Sequence, residues 1–398
     1  MMATAVVAHS LSPSDFLFGP IIGEGRFGTV VYAERRVIAN TNTQAQEGVI
    51  GNGYAIKMIP KSEILRHNQL HVVLMEKRIL SETLFQSNGD DESSSSAGAA
   101  APASMIPKLF CCFHDDSYLY FVLELCTGGT MIDLFHYCGK LKERGGSRSR
   151  SNDSSLFMDK TWIKYYAGQL IRVMEFIHQK GVVHRDFSPK NILFSSKGEL
   201  KLCDFGSAVF ISSSPTRSSV RIGDDFVGTA DYMCPEMIRG SNTHNGQGDR
   251  RQELLAGIDL WSFGCLVYEM STGESPFHAE SDQGAFQRVL YYAQHQNSVH
   301  FPSHIDTDLK DLISSLLVVD VSCRIGTSDQ VTCSWDSLKF YHSLRKHQFF
   351  QDNRQAFWDL LENNLLDPPY RPSEQPWMTQ LYENKGRLRQ LDEMHFDL

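Results

Sequence analysis

The sequence lacks any apolar run approaching the roughly 18 residues that a bilayer span requires, and Met1 to Ser10 has no basic flank of a secretory signal. A cytoplasmic or nuclear protein is therefore expected. It also lacks an excess of positive charge: 38 Lys and Arg stand against 47 Asp and Glu, a net charge of −9. Bulk nucleic-acid binding needs basic surface to replace the counterions around phosphate, so that class is excluded. A basic pocket in an acidic protein can still hold a nucleotide. Cysteine pairing is missing as well. The nine cysteines are odd in number and include no CxxC, so they read as reduced thiols. The adjacent Cys111 and Cys112 fit buried apolar packing better than a metal site. No internal repeat is evident. What remains, 41% apolar and 21% charged residues over 398 positions, describes a globular chain too long for a single core, and hence about two lobes.

Apolar stretches bounded by turn residues, at Gly19 to Ile22, Thr29 to Ala33, Gly53 to Ile59 and Tyr118 to Leu125, predict a run of strands. From Thr161 the period becomes helical. Trp162, Tyr165, Tyr166, Leu170, Val173, Met174 and Ile177 fall on one stripe, and Asp259 to Met270 and Asp308 to Leu317 repeat that character. Strands first and helices second predict an α+β fold in two lobes. Four stretches rich in Ser, Gly, Asn and small residues, Asn40 to Asn52, Ser87 to Ser104, Glu143 to Ser155 and Gly240 to Gln252, are read as surface insertions. The third is basic and Ser-rich, which suits a solvated loop or a docking or phosphorylation site.

Gly23-Glu24-Gly25-Arg26-Phe27-Gly28-Thr29-Val30 is a GxGxxGxV sequence between two strand-like runs. A dinucleotide turn of this kind would open a helix, so that reading is disfavoured. Glycines at a hairpin tip let backbone N–H groups approach phosphate oxygens, although a structural hairpin would carry the same pattern. Tyr54-Ala55-Ile56-Lys57 then places a lysine 29 positions after Gly28. A lysine there can hold phosphates if a carboxylate fixes its flexible stem. Glu76, in the helix-like stretch Leu70 to Phe85 and opposite in charge, is the candidate.

These features together resemble the protein kinases, and further motifs strengthen the likeness. His184-Arg185-Asp186-Phe-Ser-Pro-Lys190-Asn191 resembles the catalytic loop HRDxxxxN, and Asp204-Phe205-Gly206, 13 residues after Asn191, resembles DFG. The resemblance implies a bilobal kinase fold using ATP and Mg²⁺. Asp186 would orient the substrate hydroxyl and accept its proton; a carboxylate is a weak base, so its position matters most. Asn191 and Asp204 would give Mg²⁺ hard oxygen ligands. Gly23, Glu24, Gly25, Gly28, Val30, Ala55, Leu123, Glu124, Cys126 and Leu193 would line the nucleotide, with Leu123 as gatekeeper and the backbone of Glu124 and Cys126 at the adenine. His184 would pack under Phe205, with Leu80 and Leu109. Glu236, at the end of Gly228-Thr229-Ala-Asp-Tyr-Met-Cys-Pro-Glu236, would pair with Arg324, and Asp259 would cap the catalytic-loop backbone.

After Arg345 the run His347-Gln-Phe349-Phe350, Trp358 and Pro368-Pro369-Tyr370 resembles the tail of AGC-group serine/threonine kinases, which wraps onto the small lobe. Within that group, Met75-Glu76-Lys77-Arg78, Phe113-His114-Asp115-Asp116 and Phe226-Val-Gly-Thr-Ala230 are most similar to the phosphoinositide-dependent protein kinases, which activate other AGC kinases. The implied organisation is a tail at 1–15, a small lobe at 16–123, a large lobe at 124–345 with its hinge near 124–128, and a C-terminal tail at 346–398. The implied function is signal transduction by phosphorylation of proteins, with activation loops of other AGC kinases as substrates. Partner kinases would dock hydrophobic C-terminal motifs near Lys61, Leu65, Lys77, Cys112, His114 and Leu119, and the enzyme would act as a monomer.

Several positions depart from the family pattern. Ser188 stands where a lysine contacts the γ-phosphate, and Lys190, two places later, is the candidate replacement. Thr130 replaces a ribose-binding Glu. Asp225, preceded by Asp224, stands where a phosphorylated residue is usual, which predicts a carboxylate pairing with Arg185; a solvated loop controlled at Ser218 or Ser219 is the competing reading. The sequence ends at Leu398 without a pleckstrin-homology domain, so phosphoinositide binding is not expected. A pseudokinase or scaffold, resting on Ser188, and a metabolic small-molecule kinase are the rival readings. Against them stand the presence of Lys57, Asp186, Asn191 and Asp204, and of the Glu236 and Arg324 elements.

Overall fold

A computed structural model describes residues 11–25, 28–36, 53–83, 102–143, 156–210, 228–240, 250–295, 299–327, 341–351, 354–373 and 378. They divide into two units, one holding those up to Leu74, Pro107–Thr127 and from Ser373 on, the other Met75–Ile106 and Gly128–Pro372. The insertion Asn40 to Asn52, all of Ser87 to Ser104 except its last three residues, most of the basic Ser-rich stretch, and Ser218, Ser219, Asp224 and Asp225 lie outside the described residues.

The first unit is an antiparallel sheet built from β1 (Phe16–Gly25), β2 (Gly28–Arg35), β3 (Tyr54–Pro60), β4 (Leu109–His114) and β5 (Tyr118–Glu124), in the order β1-β2-β3-β5-β4. Successive side chains on a strand face opposite ways, and the sheet sorts its residues accordingly. Tyr118, Tyr120 and Val122 of β5 join Phe16, Phe18, Val31, Ala33, Ile56 and Met58 on one face. Leu119, Phe121 and Leu123 join Ile59 on the other, which α1 (Lys61–Arg66) and α2 (Leu70–Arg78) cover with Ile64 and Val73. The neighbours Cys111 and Cys112 part in the same way, one packing on each face. Both pack against apolar neighbours as expected but are half-buried, not buried.

The helix expected from Leu70 to Phe85 keeps its α geometry only to Arg78 and continues as a wider π turn over Ile79–Thr83. Val73, Glu76 and Leu80, at helical spacing, are all buried.

In the second unit α3 (Met131–Glu143) and α4 (Lys160–Gln179) come first. Asp159 caps α4 by accepting from the Thr161 N–H at 2.8 Å, and Ile163, Tyr166, Leu170, Val173, Met174, Ile177 and His178 are fully or nearly fully buried along one face. Then follow β6 (Val182–Val183), the hairpin β7 (Ile192–Phe194) and β8 (Leu200–Leu202), β9 (Val209–Phe210), α5 (Pro235–Ile238) and α6 (Arg250–Thr272). The fourth small-residue stretch therefore ends sooner than expected, because Arg250, Arg251 and Gln252 already belong to α6. Next come α7 (Asp282–His295), α8 (Thr307–Leu316), α9 (His342–Arg345) and α10 (Arg354–Glu362). Trp261, Phe263, Leu266 and Met270 of α6 are fully buried, which makes this helix the centre of the unit. The tail resemblance is structured as far as Tyr370, whose ring lies 5.4 Å from that of Phe194 and whose N–H donates to the Tyr166 hydroxyl. Among the described residues no helix is long and apolar enough to cross a membrane.

Candidate active site

In the first unit the glycine sequence forms the β1–β2 hairpin, with Gly25 opposite Gly28, Glu24 opposite Thr29 and Gly23 opposite Val30. Arg26 and Phe27 lie outside the described residues. Gly28 has a packing reason: a Cβ there would collide with the Met58 carbonyl on β3. Gly23 and Gly25 have none, since a Cβ would meet its nearest neighbours at 3.8 and 3.6 Å, ordinary contact distances. Their glycine identity leaves the hairpin backbone uncovered instead, as phosphate binding needs.

Register then aligns the other nucleotide candidates. Val30 pairs with Lys57 and Lys57 with Phe121, while Ala55 pairs with Leu123. By the two-residue period, Val30, Ala55, Lys57 and Leu123 share the sheet face opposite Val31, Ile56, Met58 and Val122. Glu124 and Cys126 follow directly at the end of β5; the Glu124 N–H donates to the Lys108 carbonyl at 2.8 Å, and Cys126 is half-buried. Lys57 is 5% and Glu76 2% exposed, exceptional values for charged residues.

The second unit assembles the catalytic-loop residues around one carboxylate. Asp186 is buried, and its Oδ1 accepts from the Thr229 N–H at 2.9 Å and the Thr229 hydroxyl at 2.8 Å. Its Oδ2 accepts from Asn191 Nδ2 at 2.8 Å and faces Lys190 Nζ at 3.3 Å. An ionised carboxylate has about four acceptor positions, so every one of them meets a donor. The hydroxyl of the fully buried Ser188 lies 3.2 Å from Thr229 Oγ1. The approach of Thr229 needs the preceding Gly228, which has φ +109° and whose Cβ would lie 2.9 Å from the Arg185 carbonyl oxygen.

The 13-residue spacing between Asn191 and Asp204 follows from the β7–β8 hairpin. Ile192 pairs with Leu202, and the Cys203 N–H donates to the Asn191 carbonyl at 2.9 Å, so both candidates emerge at the same end of the hairpin. Leu193 lies within it, half-buried and bridged to Thr130. Asn191 Nδ2 also donates to the Asp186 backbone carbonyl at 2.9 Å, which fixes the amide and turns its oxygen away from Asp186. Asp204 adopts left-handed backbone, φ 58°, a conformation Asp tolerates better than most residues. An amide oxygen and a carboxylate are the hard donors that suit Mg²⁺, so the residues fit the ion that the sequence implies.

Support for the loop comes from below. Asp259 on α6, wholly buried, accepts the His184 N–H on Oδ2 and the Arg185 N–H on Oδ1, both at 2.8 Å. The capping expected of it is present. His184 stacks edge-on against Phe205 with ring centroids 4.9 Å apart. Arg324 is fully buried and makes a two-bond pair with Glu236, at 2.9 and 3.4 Å, while its remaining N–H groups reach the carbonyls of Val318 and Gly257. Its guanidinium lies 5.1 Å from the centre of the Trp261 ring.

Sequence reasoning missed several polar groups near the loop. Tyr232 donates its hydroxyl to Glu269, whose carboxyl burial pushes up to about 7 despite that bond. His278 holds Asp231 at 2.8 Å. His178, at the end of α4, contacts Asp259 at 2.8 Å and Tyr341 at 2.5 Å. Only His178 left a trace in the sequence, as a titratable residue four places after Met174 on an apolar stripe.

The protein kinase domain family matches residues 16–336. The chain is 27% identical to the human 3-phosphoinositide-dependent protein kinase 1 over 368 residues, 92% of this chain and 52% of that protein. It is 30% identical to the Arabidopsis thaliana 3-phosphoinositide-dependent protein kinase 1 over 347 residues, 86% of this chain and 56% of that protein. Against mouse protein kinase C eta type the identity is 28% over 361 residues, 90% of this chain and 41% of that protein. The chain thus spans about half the length of most of the curated relatives it matches. The hairpin glycines, the Asp186 cluster and the Glu236–Arg324 pair are therefore parts of one inherited architecture, and the chain belongs to the protein kinase family.

Proposed function

We propose that this chain is an active serine/threonine protein kinase that transfers the γ-phosphate of ATP to protein hydroxyls. The observation that carries the reading is the carboxylate of Asp186, buried, fully hydrogen-bonded and held beside Asn191 and Lys190. In the first unit Gly23, Gly25 and Gly28 supply backbone to the phosphates, Val30, Ala55 and Leu123 an apolar face for the adenine, and Glu124 and Cys126 backbone to its edge; Leu193 is the apolar candidate of the second unit. Lys57, in the first unit, holds phosphate oxygens, and Glu76, in the second, is the carboxylate assigned to the reaction on the kinase resemblance. Asn191 and Asp204 would hold Mg²⁺ through their side-chain oxygens. Bound, that ion neutralises charge growing on the transferred group.

Lys190 has a particular part in this scheme. Of the four donors on Asp186 it is the most distant, and its side chain is 49% exposed while the carboxylate is 7% exposed. It is the donor free to leave. When its ammonium turns toward the phosphoryl oxygens, one acceptor position on Oδ2 opens for the substrate hydroxyl, whose proton then passes to Asp186 as the new O–P bond forms and the bond from the γ-phosphorus to the β–γ bridging oxygen breaks, releasing ADP. A cavity of about 840 Å³ lined by Phe135, Gly139, Pro189, Lys190, Thr229 and Tyr232 borders this position and suits a peptide segment. Lys190→Ala is expected to lower kcat on the order of 10²-fold with little change in the KM for ATP. Steady-state kinetics in which the variant keeps wild-type kcat would show that the site needs no charge at that place.

We assign the substrates to activation loops of other AGC kinases, on the similarity to the phosphoinositide-dependent kinases. In the first unit Leu65 is 79% exposed beside the half-buried Cys112 and Leu119. Together with Lys61, which lies 3.4 Å from His114, these residues of the first unit suit the hydrophobic C-terminal motif of a client kinase. Leu119→Glu is expected to weaken binding of such a peptide at least about tenfold, the effect of putting a charge against an apolar anchor; unchanged affinity in calorimetry would remove this docking assignment. Incubation with Mg-ATP and an AGC activation-loop peptide, followed by mass spectrometry, tests the substrate class. Phosphate on the peptide's Ser or Thr supports it, and phosphate only on unrelated proteins contradicts it.

A further inference from the structure

We propose that Tyr341 is a positioning residue for the catalytic loop, acting through His178 and Asp259; the inference rests on the kinase reading of Asp186. Tyr341 sits at the start of α9, far from the loop in sequence, and is wholly buried. Its hydroxyl lies 2.5 Å from His178 Nδ1, the other ring nitrogen of His178 lies 2.8 Å from Asp259 Oδ2, and that same oxygen accepts the His184 N–H at 2.8 Å. All three side chains are 0% exposed, so no water competes for these groups. Asp259 accepts backbone N–H groups on both oxygens and can only accept from the imidazole, so Nε2 carries a hydrogen and Nδ1 receives the Tyr341 hydroxyl.

The backbone of Tyr341 supports a role beyond filling space. At φ 59° and ψ 32° it is left-handed, a conformation that costs a bulky residue energy and persists only where its surroundings impose it. Gly326 makes room for it: a Cβ at that position would fall 2.7 Å from Tyr341 Cδ1. The far end of the relay is strained in the same sense, since Arg185 has φ 64°. Asp259 holds the two amides that lead into that kink, those of His184 and Arg185, and the next residue is Asp186. The tyrosine hydroxyl fixes the imidazole, the imidazole fixes one carboxylate oxygen, and the carboxylate fixes the turn that aims Asp186. Releasing the first group loosens the last.

The Tyr341→Phe variant keeps the ring and removes only the hydroxyl. Small displacements of a reacting group cost rate steeply, so kcat is expected to fall about tenfold while the KM values for ATP and peptide change less than about twofold. Hydrogen exchange at the His184 and Arg185 amides should quicken in the variant, with exchange in α8 unchanged. Nitrogen NMR of the wild-type imidazole should show His178 protonated at Nε2 and hydrogen-bonded at Nδ1, a measurement that does not depend on the variant folding. Wild-type kcat in the variant, whatever its melting temperature, would overturn the proposal, as would lost activity without faster exchange at those two amides, or a hydrogen on Nδ1 in the wild type. An inactive wild-type enzyme would instead count against the kinase reading, and the exchange and NMR results would still decide the relay.

Discussion

Asp204→Ala and Lys57→Met are each expected to slow phosphoryl transfer by about 10³-fold or more while the protein stays folded. Removing one preorganised electrostatic contact from a reacting centre costs on the order of 10²–10³ in rate, and a lost metal ligand removes a charge as well. The fold should survive for reasons visible at each position. Asp204 is half-buried two residues beyond β8, outside the apolar core, and its carboxylate accepts a long bond from the Gly206 N–H at 3.4 Å. Lys57 lies in the middle of β3, paired on both sides, and methionine keeps its stem and its volume on the sheet face. Transfer rates with saturating Mg-ATP, read beside melting temperatures, check both. Activity near wild type in either variant would remove the assignment of phosphate and metal contacts.

Arg324→Met should produce the largest loss of stability. The guanidinium is 0% exposed and all five of its N–H groups face acceptors: Glu236, Val318 and Gly257. Taking it away strands a carboxylate and two carbonyls, and breaking such a buried pair costs about 3–5 kcal/mol. A melting temperature lower by about 10 °C is expected in a unit of this size. Glu236→Gln should cost less, because Glu236 keeps 13% exposure and its neutral replacement can still accept. Urea titrations of the two variants would show this order; an Arg324→Met loss below about 1 kcal/mol would mean that water replaces the pair.

Much of this was legible because the sequence spacings translate directly into geometry. The offset of 13 from Asn191 to Asp204 is two three-residue strands, the turn between them and Cys203, and the GxGxxGxV pattern is a hairpin whose register sets Val30 against Lys57. Asp259, Glu236 and Arg324 could be paired in advance because the kinase resemblance fixes their partners, although the pairs are separated by about 70 to 90 positions in the chain. Residues without such a fixed role left no comparable signal. Tyr341 follows a stretch with no clear period, and nothing local distinguishes a tyrosine that fills space from one that holds a histidine. The Tyr232–Glu269 and Asp231–His278 contacts join segments that meet only in the fold. The wide turn at Ile79–Thr83 escaped notice because an apolar period of 3.6 tolerates one inserted residue.

The most direct test of the account is transfer of radiolabelled γ-phosphate from ATP to an AGC activation-loop peptide by the purified chain, with Asp186→Asn as control. The account expects label on the peptide from the wild type and at least about 10²-fold less from the control, since the variant keeps the shape of the side chain and loses the base that receives the hydroxyl proton. No transfer by the wild type, or equal transfer by Asp186→Asn, would contradict it.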